Sequence, residues 1–545
     1  MTSTQFHTSN TFNKAFRGLI FHISYFHILY LAFLFPFLVS CSTRPTSLPT
    51  TYTEVSDSVR IYPDYCDVTI PPNIAPMNFM VVDTLADAFV ADIEGVVCGA
   101  GKDGKMDIDS TAWRCLLAEH RGKALRVSLY AHREQGWVKH PSFAFHVAEE
   151  EIDPYVTYRL IEPGYEVYQQ LGIYQRNLTN FNVITLYENN RDIDHSESHC
   201  INCHNFQNND TQRMYLHVRE NHKGTVFTHG TEIHKVLIKH DSILTSGAYG
   251  KWHPTLPLVA YSTNRTAQFF HMRYSEKIEV YDNGSDLLLY DADRNEVRNI
   301  FLTNNVFETF PCWSADGTRL YYVAAQAPKA YDAANEFELV IRYDSLRYNL
   351  YSMPFDTVTY TFGEPRVEVD AAAENLSCTV PRVSPDGRYL LYSLATYGQF
   401  HLYHRNADLW VKDLTKKYES NLPSANSYPL TASNSSDSES YNCWSSNSRW
   451  IVFSTRRDDG DFTRTYIAYF DAQGQGHRAF LLPQHDPEYN LLLLKSYNVA
   501  ELTRNPVPVT ESQMNHAIVH TEAELAAYKG MVDITSEKTA VDDKK

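Results

Sequence analysis

Trp313-Ser314-Ala315-Asp316-Gly317-Thr318-Arg319-Leu320-Tyr321-Tyr322 and Val383-Ser384-Pro385-Asp386-Gly387-Arg388-Tyr389-Leu390-Leu391-Tyr392 are two copies of one pattern. Trp444-Ser445-Ser446-Asn447-Ser448-Arg449-Trp450-Ile451-Val452-Phe453 is a third. A weaker fourth, Trp252-His253-Pro254-Thr255-Leu256-Pro257-Leu258-Val259-Ala260-Tyr261, keeps the Trp, the Pro and the apolar run ending in Tyr. The copies start at 252, 313, 383 and 444, so their spacings are 61, 70 and 61 residues, which is a period. In each, Asp-Gly or Asn-Ser permits a tight positive-φ turn, and the apolar run after it is an inner strand.

Each copy has a second half: Asp286 to Asp291, Tyr348 to Met353, Asp408 to Asp413 and Tyr466 to Asp471 all read as strands that run into polar turns. The repeating unit is therefore a small antiparallel sheet. One such sheet cannot bury both of its faces, but sheets stacked radially cover one another, as in a β-propeller. The predicted fold is all-β, a propeller of six or more blades. Four blades are visible in the repeat, so residues 151–245 must supply others. Asn182 to Glu188 and Arg213 to Val218 alternate as strands do.

These residues resemble the Ser-Pro-Asp-Gly repeat of the TolB-like, WD40-like β-propeller family, over about residues 245–500. The resemblance implies a propeller whose face is offered to protein partners. It does not by itself choose between binding and catalysis.

Residues 60–150 carry no copy of the repeat. Strand-like pieces at Asp67 to Ile70, Leu125 to Tyr130 and Phe143 to Val147 predict a small β-sandwich-like region, or else an elaborated first blade, ahead of the propeller, which takes residues 151–509. Residues 510–545, ending Asp542-Asp543-Lys544-Lys545, read as a frayed tail.

The N-terminus addresses the compartment. Lys14 and Arg17 precede an apolar run from Leu19 to Val39, which ends Leu38-Val39-Ser40-Cys41. The pattern resembles a bacterial lipoprotein signal, which implies cleavage after residue 40, lipidation of Cys41 and a Thr, Ser and Pro-rich tether over 41–59. A transmembrane anchor of about 20 residues is the competing assignment. The turn-rich Ser42 to Ser47 after the Cys favours the lipoprotein. The expected location is the cell envelope, held to a membrane by lipid, with the outer membrane implied by analogy from Ser42. Expected partners are that membrane and other envelope proteins. Nucleic acid is excluded, because 48 Lys and Arg against 65 Asp and Glu give a net charge of −17 and no basic run offsets it.

Cys200-Ile201-Asn202-Cys203-His204 is the sharpest local motif. It resembles the covalent attachment site of c-type cytochromes, which implies thioethers from Cys200 and Cys203 to haem c and His204 as an iron ligand. Met214 is the assigned second ligand, with His217, His222, His195 and His199 as alternatives. The surrounding Asn202, Asn205, Asn208, Asn209 and Asp210 predict a loop at 195–210 rather than the usual helices. Two other chemistries stay open: a structural zinc held by Cys200, Cys203 and His204 with His195 or His199, and a disulfide or redox pair.

Of the other cysteines, Cys98 with Cys115 is the expected disulfide, while Cys312 and Cys443, each before a Trp of the repeat, read as buried apolar residues. Asp291, Asp316, Asp386 and Asp413 are turn and strand-end carboxylates by repeat position, and Asp458-Asp459-Gly460-Asp461 reads as a solvated turn rather than a calcium loop. There is no nucleophile elbow, phosphate loop or dinucleotide fingerprint. Together these readings predict an envelope binding platform with haem c for electron transfer or redox sensing. A pure protein-binding or glycan-binding propeller and an envelope enzyme using the central funnel are the alternatives. The glycan or peptide alternative requires an aromatic-lined face, and the enzyme requires ionisable groups converging at the funnel.

Overall fold

The computed structural model describes residues 44–162, 169–191, 199–272, 276–303, 305–328, 337–416 and 425–535. Six four-stranded or larger sheets follow one another from residue 155 to 503. Blade 2 begins on His199–Gln207, blade 3 on Ala248–Trp252, blade 4 on Val306–Trp313, blade 5 on Ser377–Val383 and blade 6 on Glu439–Trp444. Blade 1 is closed by the far end of the chain: Tyr155–Ile161 takes Ser496–Thr503 as its inner neighbour, in antiparallel register from Tyr155 with Thr503 to Ile161 with Ser496. The predicted all-β propeller is thus observed, with six blades among the described residues, and the two strands read at 182–188 and 213–218 belong to blades 1 and 2.

The repeat motif forms the turn between the first and second strands of a blade. Ser314 Oγ donates to Asp316 (2.6 Å) and accepts from the Arg319 amide (3.0 Å), and Asp316 accepts from the Thr318 amide (3.0 Å). Ser384 with Asp386 and Ser445 with Asn447 repeat the arrangement. The turn glycines sit at φ 73° (Gly317) and 72° (Gly387), and Ser448 at 60° holds the third equivalent position. Gly317 is needed for a second reason: a Cβ there would lie 2.2 Å from Nε2 of His253 on blade 3. The motif carboxylates are turn residues, as the repeat predicted. Asp459 likewise accepts the amides of Asp461 and Phe462, which makes the 458–461 segment a turn.

Two regions and one cysteine pair differ from the sequence reading. Residues 60–150 are not two sheets face to face. They form most of a seven-stranded sheet, with a small two-stranded sheet and a helix, Ser110–Glu119, whose Trp113, Leu116 and Leu117 are buried. Asp109 caps that helix through the amides of Thr111 and Ala112. The region shares one apolar cluster with blade 6, so its second cover is the propeller itself. Asp153 holds the amide and hydroxyl of Ser446, at the Asn-Ser turn of that blade.

The predicted frayed tail is ordered through residue 535. After the helix Glu511–Val519, the chain lays Glu524–Leu525, Ala527–Met531 and Ile534–Thr535 in parallel along the outer edges of blades 2, 3 and 4 in turn. An edge strand exposes unpaired amides and carbonyls, and this strap satisfies three edges with a few residues each. Its pieces are too short to show a strand period in sequence.

The expected disulfide is absent: Cys98 is buried in the strand Val96–Ala100, and Cys115 is exposed on the helix, both as free thiols. No helix of the described residues is long and apolar enough to cross a membrane. Leu19 to Val39 and the lipidation residue Cys41 lie outside the described residues.

Candidate functional site: the axial mouth of the propeller

Each innermost strand breaks its register at an equivalent point. The breaks fall between Asn202 and His204, Ala248 and Lys251, Thr309 and Cys312, Thr379 and Arg382, and Ser440 and Cys443; blade 1 has one opposite Thr157 to Arg159. At each break one residue takes positive φ: Cys203 (53°), Tyr249 (47°), Phe310 (50°), Val380 (48°), Tyr441 (50°) and Val499 (50°). Positive φ is costly for non-glycine residues, and most of all for β-branched Val380 and Val499. A bulge bends and twists a strand, and six equivalent bulges turn six strands alike around one axis. Tyr249 and Phe310 stack at 4.2 Å, and they share one apolar cluster with Val380, Tyr441 and Val499 from three further blades. These side chains plug the axis.

Two residues beyond each bulge stand Asn205, Lys251, Cys312, Arg382, Cys443 and Glu501, one from each blade. All six line a cavity of about 140 Å³ on the side of the Asp-Gly turns. Glu501 is 4% exposed. Its Oε1 accepts from Asn205 Nδ2 (2.9 Å) and pairs with Lys251 Nζ. Burial alone would raise the Glu501 carboxyl, but Lys251 and the neighbouring His204 outweigh it and hold it below the usual carboxylate range. Glu501 Oε2 and the indole Nε1 of Trp252 are buried and make no hydrogen bond among the described residues. Arg382 donates to the Pro381 carbonyl (2.7 Å), forms no ion pair among the described residues, and its charge also helps to lower Glu501. Cys443 is pushed up to about 11 by burial and by Glu501, so it is a thiol at neutral pH. Indole N–H groups brace the ring from behind: Trp313 donates to the Lys251 carbonyl (3.1 Å) and Trp444 to the Arg382 carbonyl (3.0 Å).

At the other mouth a hairpin of blade 3 reaches across to blades 4 and 5. The long hairpin of Leu258–Phe270 and Ile278–Asp291 in blade 3 extends past its own blade at the end away from the Asp-Gly turns. Its Asp282 receives Tyr348 Oη of blade 4 (3.0 Å) and the Gln399 amide of blade 5 (3.1 Å), and its Glu279 receives Tyr397 Oη (3.0 Å).

The Cys-x-x-Cys-His motif lies elsewhere from its expected place. It is part of the buried innermost strand of blade 2, and Asn208 and Asn209, read as loop, form the positive-φ turn to the next strand at 51° and 57°. Cross-strand partners share a face. Cys200 stands opposite Arg219, whose Nη2 donates to its Sγ (3.8 Å). Cys203 is the blade's bulge residue, with Sγ accepting from the Tyr249 amide (3.4 Å), and packs with Tyr215. His204 stands opposite Leu216, and Phe206 opposite Met214, on the other face. Cys200, Cys203, His204 and Met214 are all buried.

By register Cys200 faces away from His204, and Cys203 packs with Tyr215 apart from the cluster that holds Cys200 and Met214, so the three motif side chains do not converge on one haem c or zinc as arranged here. Among the described residues no three His, Cys, Asp or Glu side chains converge as a metal site. His204 lies beside Glu501, and burial lowers it to about 4, so it is neutral at pH 7. Of the other assigned ligands, His199 shares a hydrogen bond with Tyr187 Oη (2.7 Å), His217 with Thr225 Oγ1 (2.9 Å), and His195 lies outside the described residues.

Sequence reasoning missed Asn205, Lys251, Arg382 and Glu501. The signal was one column of the repeat, since Lys251, Cys312, Arg382 and Cys443 each directly precede the first residue of a copy. Asn205 and Glu501 stand on strands without a legible copy.

No family model matches the chain, and no curated protein matches it. Among solved structures it is similar to an ACO/RPE65 chimera, at 10% identity and a TM-score of 0.33 over 84% of this chain and 100% of that one. It is also similar to prolyl oligopeptidase B from Galerina marginata, at 9% and 0.32 over 65% and 42%. A third similar structure is a putative 6-phosphogluconolactonase from Bacteroides fragilis, at 9% and 0.28 over 59% and 93%.

Proposed function

We propose that this chain is an envelope binding protein whose axial mouth receives the carboxylate end of a small ligand or peptide. The carrying observation is the ring of one residue per blade around a 140 Å³ cavity. Lys251 pairs with Glu501, and Arg382, whose charge also acts on Glu501, leaves the ring with one net positive charge. A protein of net charge −17 thus presents a locally cationic pocket. Arg382 offers the planar donor fork that suits a carboxylate. Glu501 Oε2 and Trp252 Nε1 add a free acceptor and a free donor, which suit an amide beside that carboxylate. A cavity of about 150 Å³ accepts a group the size of benzene, so the pocket takes one amino-acid-sized end and not a folded partner.

Binding is favoured over catalysis by the protonation states. General acid–base chemistry needs a group poised near the working pH. Here Glu501 is held ionised, Cys443 is held as a thiol and His204 is held neutral, so each stays in one state through the neutral range. Envelope placement and lipidation at Cys41 are supported by the Leu19 to Val39 run and Leu38-Val39-Ser40-Cys41. A terminal carboxylate of another envelope protein is one source of the ligand.

Calorimetric titration with N-acetylalanine and its amide tests the site. The acid should bind, the amide should bind at least tenfold more weakly, and Arg382→Gln should abolish the difference. Equal binding of acid and amide, or no binding of either, refutes the proposal. Metabolic labelling with palmitate, lost in Cys41→Ala, tests the anchor.

A further inference from the structure

A second cavity of about 550 Å³ opens on the side of the propeller, between blade 1 and the segment that follows blade 6. Its volume is within the roughly 300–1,000 Å³ typical of small-molecule sites. The aromatic rings that reach its surface are Tyr174 and Phe181, both partly exposed, and Tyr489, while Tyr158 and Tyr497 lie behind them at 4% and 2% exposed. Tyr158 lies 4.8 Å from Tyr497 and 6.1 Å from Tyr174, and the Arg176 guanidinium covers Phe181 at 5.1 Å. Tyr489 stands at the rim, 43% exposed, on the one-turn helix Tyr489–Leu492.

The polar groups of the cleft are fixed in place. Arg176 donates to Gln484 Oε1 (3.0 Å), Gln484 donates to Tyr497 Oη (3.2 Å), and Tyr174 Oη donates to Glu188 Oε1 (2.6 Å). Nζ of Lys495 and the hydroxyls of Tyr158 and Tyr489 have no hydrogen-bond partner among the described residues, and all three residues line the cavity. Two cations, Arg176 and Lys495, face two carboxylates, Glu188 and Asp486, so the lining has no net charge. Aromatic faces combined with prepositioned donors and acceptors and a balanced charge fit a ligand that is apolar on one face, polar at its edges and uncharged. A pyranose ring has that form: its axial C–H groups make an apolar face, and its hydroxyls project equatorially.

We infer that the cleft lined by Tyr174, Phe181 and Tyr489 binds a neutral oligosaccharide. The axial mouth differs in sign and size, so the two sites are independent.

The test is affinity electrophoresis and calorimetry on the full chain carrying Cys41→Ala, so that no lipid contributes. Probes are neutral oligomers of glucose, mannose, xylose, galactose and N-acetylglucosamine, a polygalacturonate oligomer as charged control, and phosphatidylcholine vesicles. At least one neutral oligomer should bind, with affinity falling tenfold or more in Tyr489→Ala and in Glu188→Gln and unchanged in Arg382→Gln. The inference is overturned if no neutral oligomer binds at millimolar concentration, if the charged oligomer alone binds, or if binding survives both cleft variants. It is also overturned if only the vesicles are bound, through exposed Leu491, Leu492 and Leu494 on the same segment.

Discussion

Lys251 of blade 3 and Glu501 of blade 1 form an ion pair across the innermost strand of blade 2, whose Asn205 donates to the same carboxylate oxygen. Their side chains are 12% and 6% exposed, and 250 residues separate them in the chain. Glu501 arrives on the strand that closes the propeller, so the pocket is completed only when the ring is. Ring closure and site assembly are one event.

Lys251→Met should therefore cost about 3 kcal/mol, because it leaves a buried carboxylate uncompensated. Burial would then dominate Glu501 and raise its carboxyl. In the parent protein the lowered carboxyl contributes stability that is present above its unfolded value of 4.5 and is lost as pH falls through the lower folded value. In Lys251→Met that sign inverts, and stability should fall as pH rises from 4.5. Thermal unfolding from pH 2.5 to pH 8 reads both slopes, and parallel curves would refute the assignment.

The repeat tryptophans offer an internal comparison. Trp313→Phe and Trp444→Phe each remove an indole hydrogen bond to a ring carbonyl and should cost about 1–3 kcal/mol. Trp252 makes no such bond, so Trp252→Phe should cost less than either. Urea midpoints of the three variants decide it, and a larger loss at Trp252 would contradict the bracing role.

Glu308 carries a titration of the opposite kind. Burial, with Asp286 beside it, pushes its carboxyl up to about 9 from 4.5. A raised group contributes stability that is full below its unfolded value and lost as pH climbs through the folded one. Glu308→Gln cannot ionise, so its melting temperature relative to the parent should increase from pH 5 to pH 9. A constant difference over that window would show that Glu308 is already ionised.

Thiol accessibility tests the place of the Cys-x-x-Cys-His motif. In the native state Cys115 should react with a maleimide, and Cys200, Cys203 and Cys378 should not. In denaturant, peptide mass mapping should show alkylation at both Cys200 and Cys203. Thioethers to a haem would block both, and their persistent blockage would overturn the assignment of the motif to the blade core.

The strap and the closing strand should separate under truncation. A chain ending at residue 520 loses the three short edge pairings of blades 2, 3 and 4, and should fold with a melting temperature a few degrees lower. A chain ending at 495 loses the inner strand of blade 1 and should not fold cooperatively. Equal behaviour of the two by circular dichroism would contradict closure by Ser496–Thr503.

What the sequence determined by itself is local or periodic. The Asp-Gly turns, the strands after them and the repeat at 61 to 70 residues were legible because a turn's hydrogen bonds and a strand's alternation lie within about ten consecutive residues. Cys312 and Cys443 were legible as equivalent positions, though not as walls of a pocket. The Cys-x-x-Cys-His spacing was legible as a pattern, but its chemistry depends on which side chains share a face. Cys200 pairs opposite Arg219 and His204 opposite Leu216, with a bulge at Cys203 between them, so Cys200 and His204 point to opposite faces. Tertiary structure alone decided that, and it alone brought Asn205, Lys251, Arg382 and Glu501 together. Their convergence depends on six blades closing into a ring, and no contact within one blade encodes it.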